Sequence, residues 1–173
     1  MKKIKDLSRL EIAELTRQLP KEKGSYLLFF EMKHAKTIRV GKLTETEFVP
    51  GFYAYVGSAF GPGGLHARLR HHLSISERCH WHLDYIRPEM HFLSLWMTED
   101  DESREHDWAG VLLDLPTAEI PVKDLGATDC RCRAHFFRFD QLPTLCEFRK
   151  QLRRRGILNV AVDEVSRYEL KVA

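Results

Sequence analysis

The chain has 173 residues, 43% of them hydrophobic and 30% charged, and a formal net charge of only +2. This excludes a disordered chain, leaves room for one domain with its own core, and excludes a global basic field as the source of any nucleic-acid affinity. No run of about 18 apolar residues exists to span a bilayer, so no membrane partner is expected.

Taken in chain order, the first twenty residues predict an amphipathic helix rather than a secretory signal. Ser8 is a candidate cap, Leu10, Leu15 and Leu19 form the stripe, and Pro20 is the stop. Without an export signal, Cys79, Cys130, Cys132 and Cys146 are expected to be reduced and the protein cytoplasmic. "GSYLLFFEM" from Gly24 reads as a buried strand and "KTIRVGKL" from Lys36 as a second, joined to it through "KHA". "TETEF" is a polar segment, and "GFYAYVGSA" from Gly51 is a third strand. "GPGG" turns the chain into the helix "LHARLRHHL", whose inner face carries Leu65, Leu69 and His72 or Leu73.

"HWHLDYIRP" is a short helix or turn, and "FLSLWM" a fourth strand. "DDESREHDWAGVLLDL" is a helix with an acidic first turn, and Glu105 lies at the start of its inward face, three before Trp108. "GATDCRCRAH" is a loop, "FFRF" a last strand, and a basic helix and polar tail follow Gln141. The expected fold is a single α/β (α+β) domain, a small, mostly antiparallel central sheet flanked by helices. Its core spans about 24–139, with the helix at 1–20 and the basic helix and tail at 141–173.

Two tyrosine-bearing strands, a glycine turn, a helix with Arg68 and His72, and a later inward glutamate supply the parts that phosphodiester hydrolysis needs. These are a base for water, a cation for the phosphoryl oxygens and a carboxylate for a divalent metal. "GSY" at Gly24–Tyr26 and "YVG" at Tyr55–Gly57, followed by that arginine and glutamate, resemble the signature of the GIY-YIG nuclease superfamily. The longer string "YVGSAFGPGGLHARLRHHL…HWHLDY…DCRCRAH" is similar to an uncharacterised domain family grouped within it.

The resemblance implies that Tyr26 and Tyr55 line the site, one of them orienting or deprotonating water, and that Arg68 binds the scissile phosphate. It implies proton transfer or leaving-group contact for His72 and His80, and one Mg²⁺ or Mn²⁺ on Glu105. The implied function is a metal-dependent endonuclease in DNA repair or processing; the alternative is a non-catalytic nucleic-acid-binding module on the same fold. DNA is the expected partner, with RNA and the oligomeric state left open. Two positions depart from the superfamily's pattern. Ser25 replaces an aliphatic residue, and Ser58 stands where the repair branch has lysine. A supporting asparagine finds no match, with Asp129 as the stand-in.

Other features carry two readings each. Gly61, Gly63 and Gly64 are either a phosphate cradle or a tight connection. His80, His82 and Asp84 have the H-x-H-x-D spacing of zinc hydrolases, or simply pack their helix. Cys130, Cys132 and His135, completed by Cys79 with His80, are either a structural zinc site or small core residues. Arg149, Lys150, Arg153, Arg154 and Arg155 are either a nucleic-acid contact or a solvated helix face.

Overall fold

The computed structural model of the chain describes residues 6–158 and 160–166. Strand β1 (Gly24–Met32) is the centre of a five-stranded sheet with β4 (Gly51–Ser58) and β5 (His91–Glu99) on its two sides. β6 (Phe136–Phe139) extends the β4 side and β7 (Asp163–Ser166) the β5 side, with every pairing antiparallel. β1 can be apolar almost throughout because helices cover both faces of the sheet.

One face packs Tyr26, Leu28 and Phe30 with Tyr55 and Phe136. Helices α1 (Arg9–Arg17), α2 (Gly64–Leu73) and α3 (His82–Ile86) lie against it. The other face packs Leu27, Phe29, Val56 and Trp96 beneath α4 (Glu105–Leu113) and α5 (Leu145–Arg154). The alternation along β1 therefore assigns each helix to a side. Among the described residues, no helix is long and apolar enough to cross a membrane.

Four local expectations change. The strand from Lys36 does not join the main sheet: β2 (Lys36–Arg39) pairs instead with β3 (Glu45–Phe48), the segment read as a polar linker. Both edges of β1 are already taken by longer apolar strands, and Gly41, at φ 53°, ends the run. In α1, Leu10 is 79% exposed; the buried stripe is Leu15, Thr16 and Leu19. A capping box between Ser8 and Glu11 starts that helix, satisfying N–H groups its first turn leaves free.

The acidic helix begins at Glu105 rather than Asp100. Arg104 is held back by its ion pair to Asp100 (2.7 Å) and by its backbone N–H, which donates to Ser25 Oγ (2.8 Å). Finally, part of the polar tail is β7, which covers the edge of β5 and accepts from Trp96 Nε1 through Glu164 (3.0 Å). The rest of that tail, 167–173, and residues 1–5 of the helix expected at 1–20 lie outside the described residues.

A buried arginine ties the helical layer together. Arg87 donates to the carbonyls of His72 (3.2 Å), Leu73 (2.9 Å) and Met90 (2.9 Å) and pairs with Asp6 (2.8 Å). The first two are carbonyls at the C-terminal end of α2, which its own hydrogen bonds leave open. Arg87 thereby fixes the end of the helix that carries Arg68 and His72.

Candidate active site

β1 begins where β4 and β5 end, so Tyr26 faces Gly57 across the strand pair. A Cβ at Gly57 would overlap the Tyr26 phenol; glycine lets that ring lie across the neighbouring strand. Tyr26 and Tyr55 then form the floor of a cleft of about 480 Å³. Arg68 and Trp81 line it as well, as do Ser58, Glu105 and His106 and the loop residues Gly126, Asp129, Cys130 and His135.

Burial pushes both tyrosine hydroxyls up; Tyr55 raises Tyr26 further, the carboxylates of Glu105 and Asp84 raise both, and Arg68 opposes the rise. Both are therefore protonated at neutral pH. The Arg68 guanidinium lies 4.4 Å from the centre of the Trp81 ring, a cation–π contact. No carboxylate among the described residues pairs with it. A planar fork that borders a cleft without an acidic partner is ready to bind an oxyanion.

Glu105, at the first turn of α4, is the carboxylate of the opposite wall. Its Oε2 accepts from Ser58 Oγ (2.7 Å), and its Oε1 lies 3.0 Å from His135 Nδ1. The second contact is short but not aligned as a hydrogen bond. Burial pushes this carboxyl up, but His135 and Ser58 outweigh that and hold it below its ordinary value. Ser25 and Ser58 thus act together: Ser25 anchors the backbone at Arg104 and Ser58 the side chain at Glu105. Each Glu105 oxygen retains a lone pair after these contacts, which suits a hard cation that keeps most of its water.

His72 is brought close but not onto the wall. It is 1% exposed, with its ring 5.4 Å from Tyr55 and 6.0 Å from Tyr26. Burial lowers its pKa, and neither ring nitrogen has a hydrogen-bond partner. It supports the tyrosines from behind. His80 is not brought in: it is exposed, stacked edge-on against Trp81 (4.5 Å).

The H-x-H-x-D residues separate as well. His82 Nδ1 accepts the Gly126 N–H (2.9 Å), while Asp84 accepts the N–H groups of His80 (2.8 Å) and Trp81 (2.9 Å). His71 Nε2 lies 3.1 Å from both Asp84 oxygens. His82 and Asp84 therefore pack α3 through different partners, and no shared zinc site forms from the three.

The glycine turn is a connection. The N–H groups at the start of α2 are already used, Leu65 by the Glu22 carbonyl (2.9 Å) and His66 by that of Pro20 (2.9 Å). Gly63 and Gly64, at φ 81° and 53°, make the corner. Of the proposed zinc residues, Cys130, Cys132 and His135 gather, but with His106; Cys79 is exposed and apart. The basic helix α5 lies on the sheet face away from Tyr26 and Tyr55. Arg149 donates there to the Val162 carbonyl (2.7 Å) and Arg155 pairs with Asp114 (2.6 Å), leaving Lys150, Arg153 and Arg154 exposed.

The sequence reading missed Trp81, Ser58, His71 and His106. Each stands beside a residue already singled out, Ser58 by Gly57, His71 by His72, Trp81 by His80 and His106 by Glu105, but what each touches is set by the fold and not by a short motif. Residues 25–157 match the family model described as Domain of unknown function DUF123, and no curated protein or solved structure matches the chain.

Proposed function

The chain belongs to the DUF123 family, a description that assigns no activity, and from its cleft we propose a metal-dependent endonuclease of the GIY-YIG kind, acting on nucleic-acid phosphodiester bonds, DNA first. One observation carries this reading. Tyr26, Tyr55, Arg68 and Glu105 come from β1, β4, α2 and α4, and all four border one cleft.

In this reading Arg68 holds the non-bridging phosphate oxygens and offsets the charge that builds up on them in the transition state. Tyr26 and Tyr55 orient the attacking water. Burial keeps both hydroxyls protonated, which favours that role over general base. Glu105, oriented by Ser58 and His135, holds Mg²⁺ or Mn²⁺, which supplies Lewis-acid neutralisation of the phosphate when bound. Trp81 braces the guanidinium from its face. A second reading rests on Glu105 itself. Both of its oxygens are already engaged, as they would be in a nucleic-acid-binding module whose carboxylate only holds a loop.

Cleavage of a labelled DNA and RNA panel with Mg²⁺ or Mn²⁺ separates the two. The expected result is cutting by the wild type, reduced on the order of 10²-fold or more in Arg68→Ala and Glu105→Gln while both still melt as the wild type does. Absence of cutting, with equal binding by wild type and Glu105→Gln, would establish the binding module instead.

A further inference from the structure

In the wall of the cleft, Cys130 and Cys132 from the 126–135 loop meet His135 at its end and His106 on α4, and their four ligand atoms all lie within 4.8 Å of one another. We propose that these residues form a Cys2His2 zinc site that clamps the 126–135 loop to the N-terminus of α4. This goes beyond the hydrolytic reading, since it concerns a different ion, on residues of which only His135 enters that reading, as a neighbour of Glu105.

The geometry is close to that of a bound ion. With Zn–S near 2.3 Å and Zn–N near 2.05 Å, a tetrahedral centre sets sulfur and nitrogen about 3.6 Å apart. Cys130 Sγ and His135 Nε2 are 3.5 Å apart. His135 is 2% exposed, so its ring is fixed, and Nδ1 has no aligned hydrogen bond. Nδ1 nonetheless faces Glu105 Oε1 at 3.0 Å. A proton on Nδ1 leaves Nε2 free as a ligand, and a histidine whose second nitrogen faces a carboxylate is the usual arrangement around zinc. His106 is exposed, with its ring 5.8 Å from that of His135 and its ligand nitrogen already within 4.8 Å of the other three ligand atoms.

The ligand chemistry selects the ion. Two thiolates and two imidazoles favour zinc over Mg²⁺ or Mn²⁺, which prefer oxygen. Binding displaces the two thiol protons to solvent as the Zn–S bonds form. The loop also needs the help. From Gly126 to His135 it has no helix or strand, and it is closed at its base by two bonds, His135 N–H to the Leu125 carbonyl (2.8 Å) and Asp124 N–H to that of Arg133 (2.9 Å). Zinc would fix the far end, and with it the distance between Glu105 and Asp129.

The test is metal content and cobalt spectroscopy of the full chain, grown with zinc and dialysed against a weak chelator. The expected result is one zinc per chain, a thiolate-to-cobalt charge-transfer band on substitution, and retention of both in Cys79→Ser and Cys146→Ser. Cys130→Ser with Cys132→Ser should lose the zinc, and His106→Ala should weaken its binding at least tenfold. His106 is exposed, so that variant stays informative even where the cysteine pair fails to fold. A zinc-free wild type, a cobalt spectrum without thiolate bands, or undiminished affinity in His106→Ala would each overturn the proposal. None of these readouts depends on nuclease activity.

Discussion

Two histidine-bearing clusters flank the cleft, and they differ in what their polar atoms are already doing. Around Asp84, the carboxylate accepts from two backbone N–H groups and His71, with His72 buried 3.8 Å away. The Trp81 ring lies against both imidazoles. Around His135, the neighbours are thiols, and Glu105 contacts the ring from the far side. Similar side chains thus make a filled structural knot in one place and an open ligand set in the other. Both clusters contain three or more potential metal ligands; what separates them is that the carboxylate at the centre of the first is already taken by two backbone N–H groups and His71, where the second offers two thiols.

The sharpest test of that contrast is Asp84→Ala. Burial alone would raise this carboxyl, but the His72 and His71 imidazoles and the Trp81 and His80 amides hold it far below the usual carboxylate range. Removing it leaves the His71 ring and the partly buried N–H groups of His80 and Trp81 without their acceptor, at a cost of about 2 kcal/mol in urea unfolding at pH 7. The loss should be the same with and without zinc, because no ligand of the proposed zinc site is touched.

The sign of its pH dependence follows. A carboxyl with a depressed folded pKa contributes its full stability above the unfolded value of about 3.9 and loses it as pH falls below that value. Asp84→Ala should therefore flatten the acid limb of the stability profile. An unchanged acid limb would mean that Asp84 is not the knot's centre.

A smaller effect is expected at His72. Burial lowers its pKa, so the unfolded chain takes up this proton before the folded one does. Stability then falls as pH drops through about 6.5 and below. His72→Phe keeps an aromatic ring between Tyr26 and Tyr55 and leaves no unpaired nitrogen. It should cost under about 1 kcal/mol at pH 8 and become comparatively more stable near pH 5. Thermal melting across that range checks it. If cutting survives in this variant, His72 supports the tyrosines; if the fold is intact and cutting is lost, it moves a proton.

How much of this was legible in the sequence depends on the range of the interaction. β1, β4, β5 and α2 follow from apolar runs and glycine punctuation, so their existence and order could be read directly. The pairing of β2 with β3 could not, because it depends on β1 having both edges occupied. Tyr26, Tyr55, Arg68 and Glu105 were legible as a set because their order along the chain is a motif. The roles of Ser25 and Ser58 were not, since each acts on the start of α4, at Arg104 and Glu105, from a distant strand. His106 was hidden for the same reason: α4 brings it to Cys130 and Cys132, whereas chain spacing pointed to Cys79.

The smallest expected effect concerns α5, where chain spacing again says less than packing. Five cations in seven residues read as one patch, but they divide in two. Arg149 and Arg155 are tied to Val162 and Asp114, while Lys150, Arg153 and Arg154 are exposed. Arg155→Ala should cost under about 1 kcal/mol of stability, since its ion pair is half exposed, and leave binding unchanged. Replacing Lys150, Arg153 and Arg154 by glutamine should leave stability unchanged. If all three contact phosphate, the slope of log affinity against log salt should fall by about 3.

Because α5 lies on the sheet face opposite Tyr26, a duplex too short to wrap the edge cannot reach both surfaces. Cutting of such a substrate should then be unaffected by the triple change, while binding to a long duplex weakens. An unaltered slope on the long duplex would leave the cleft and Arg68 as the source of any nucleic-acid affinity.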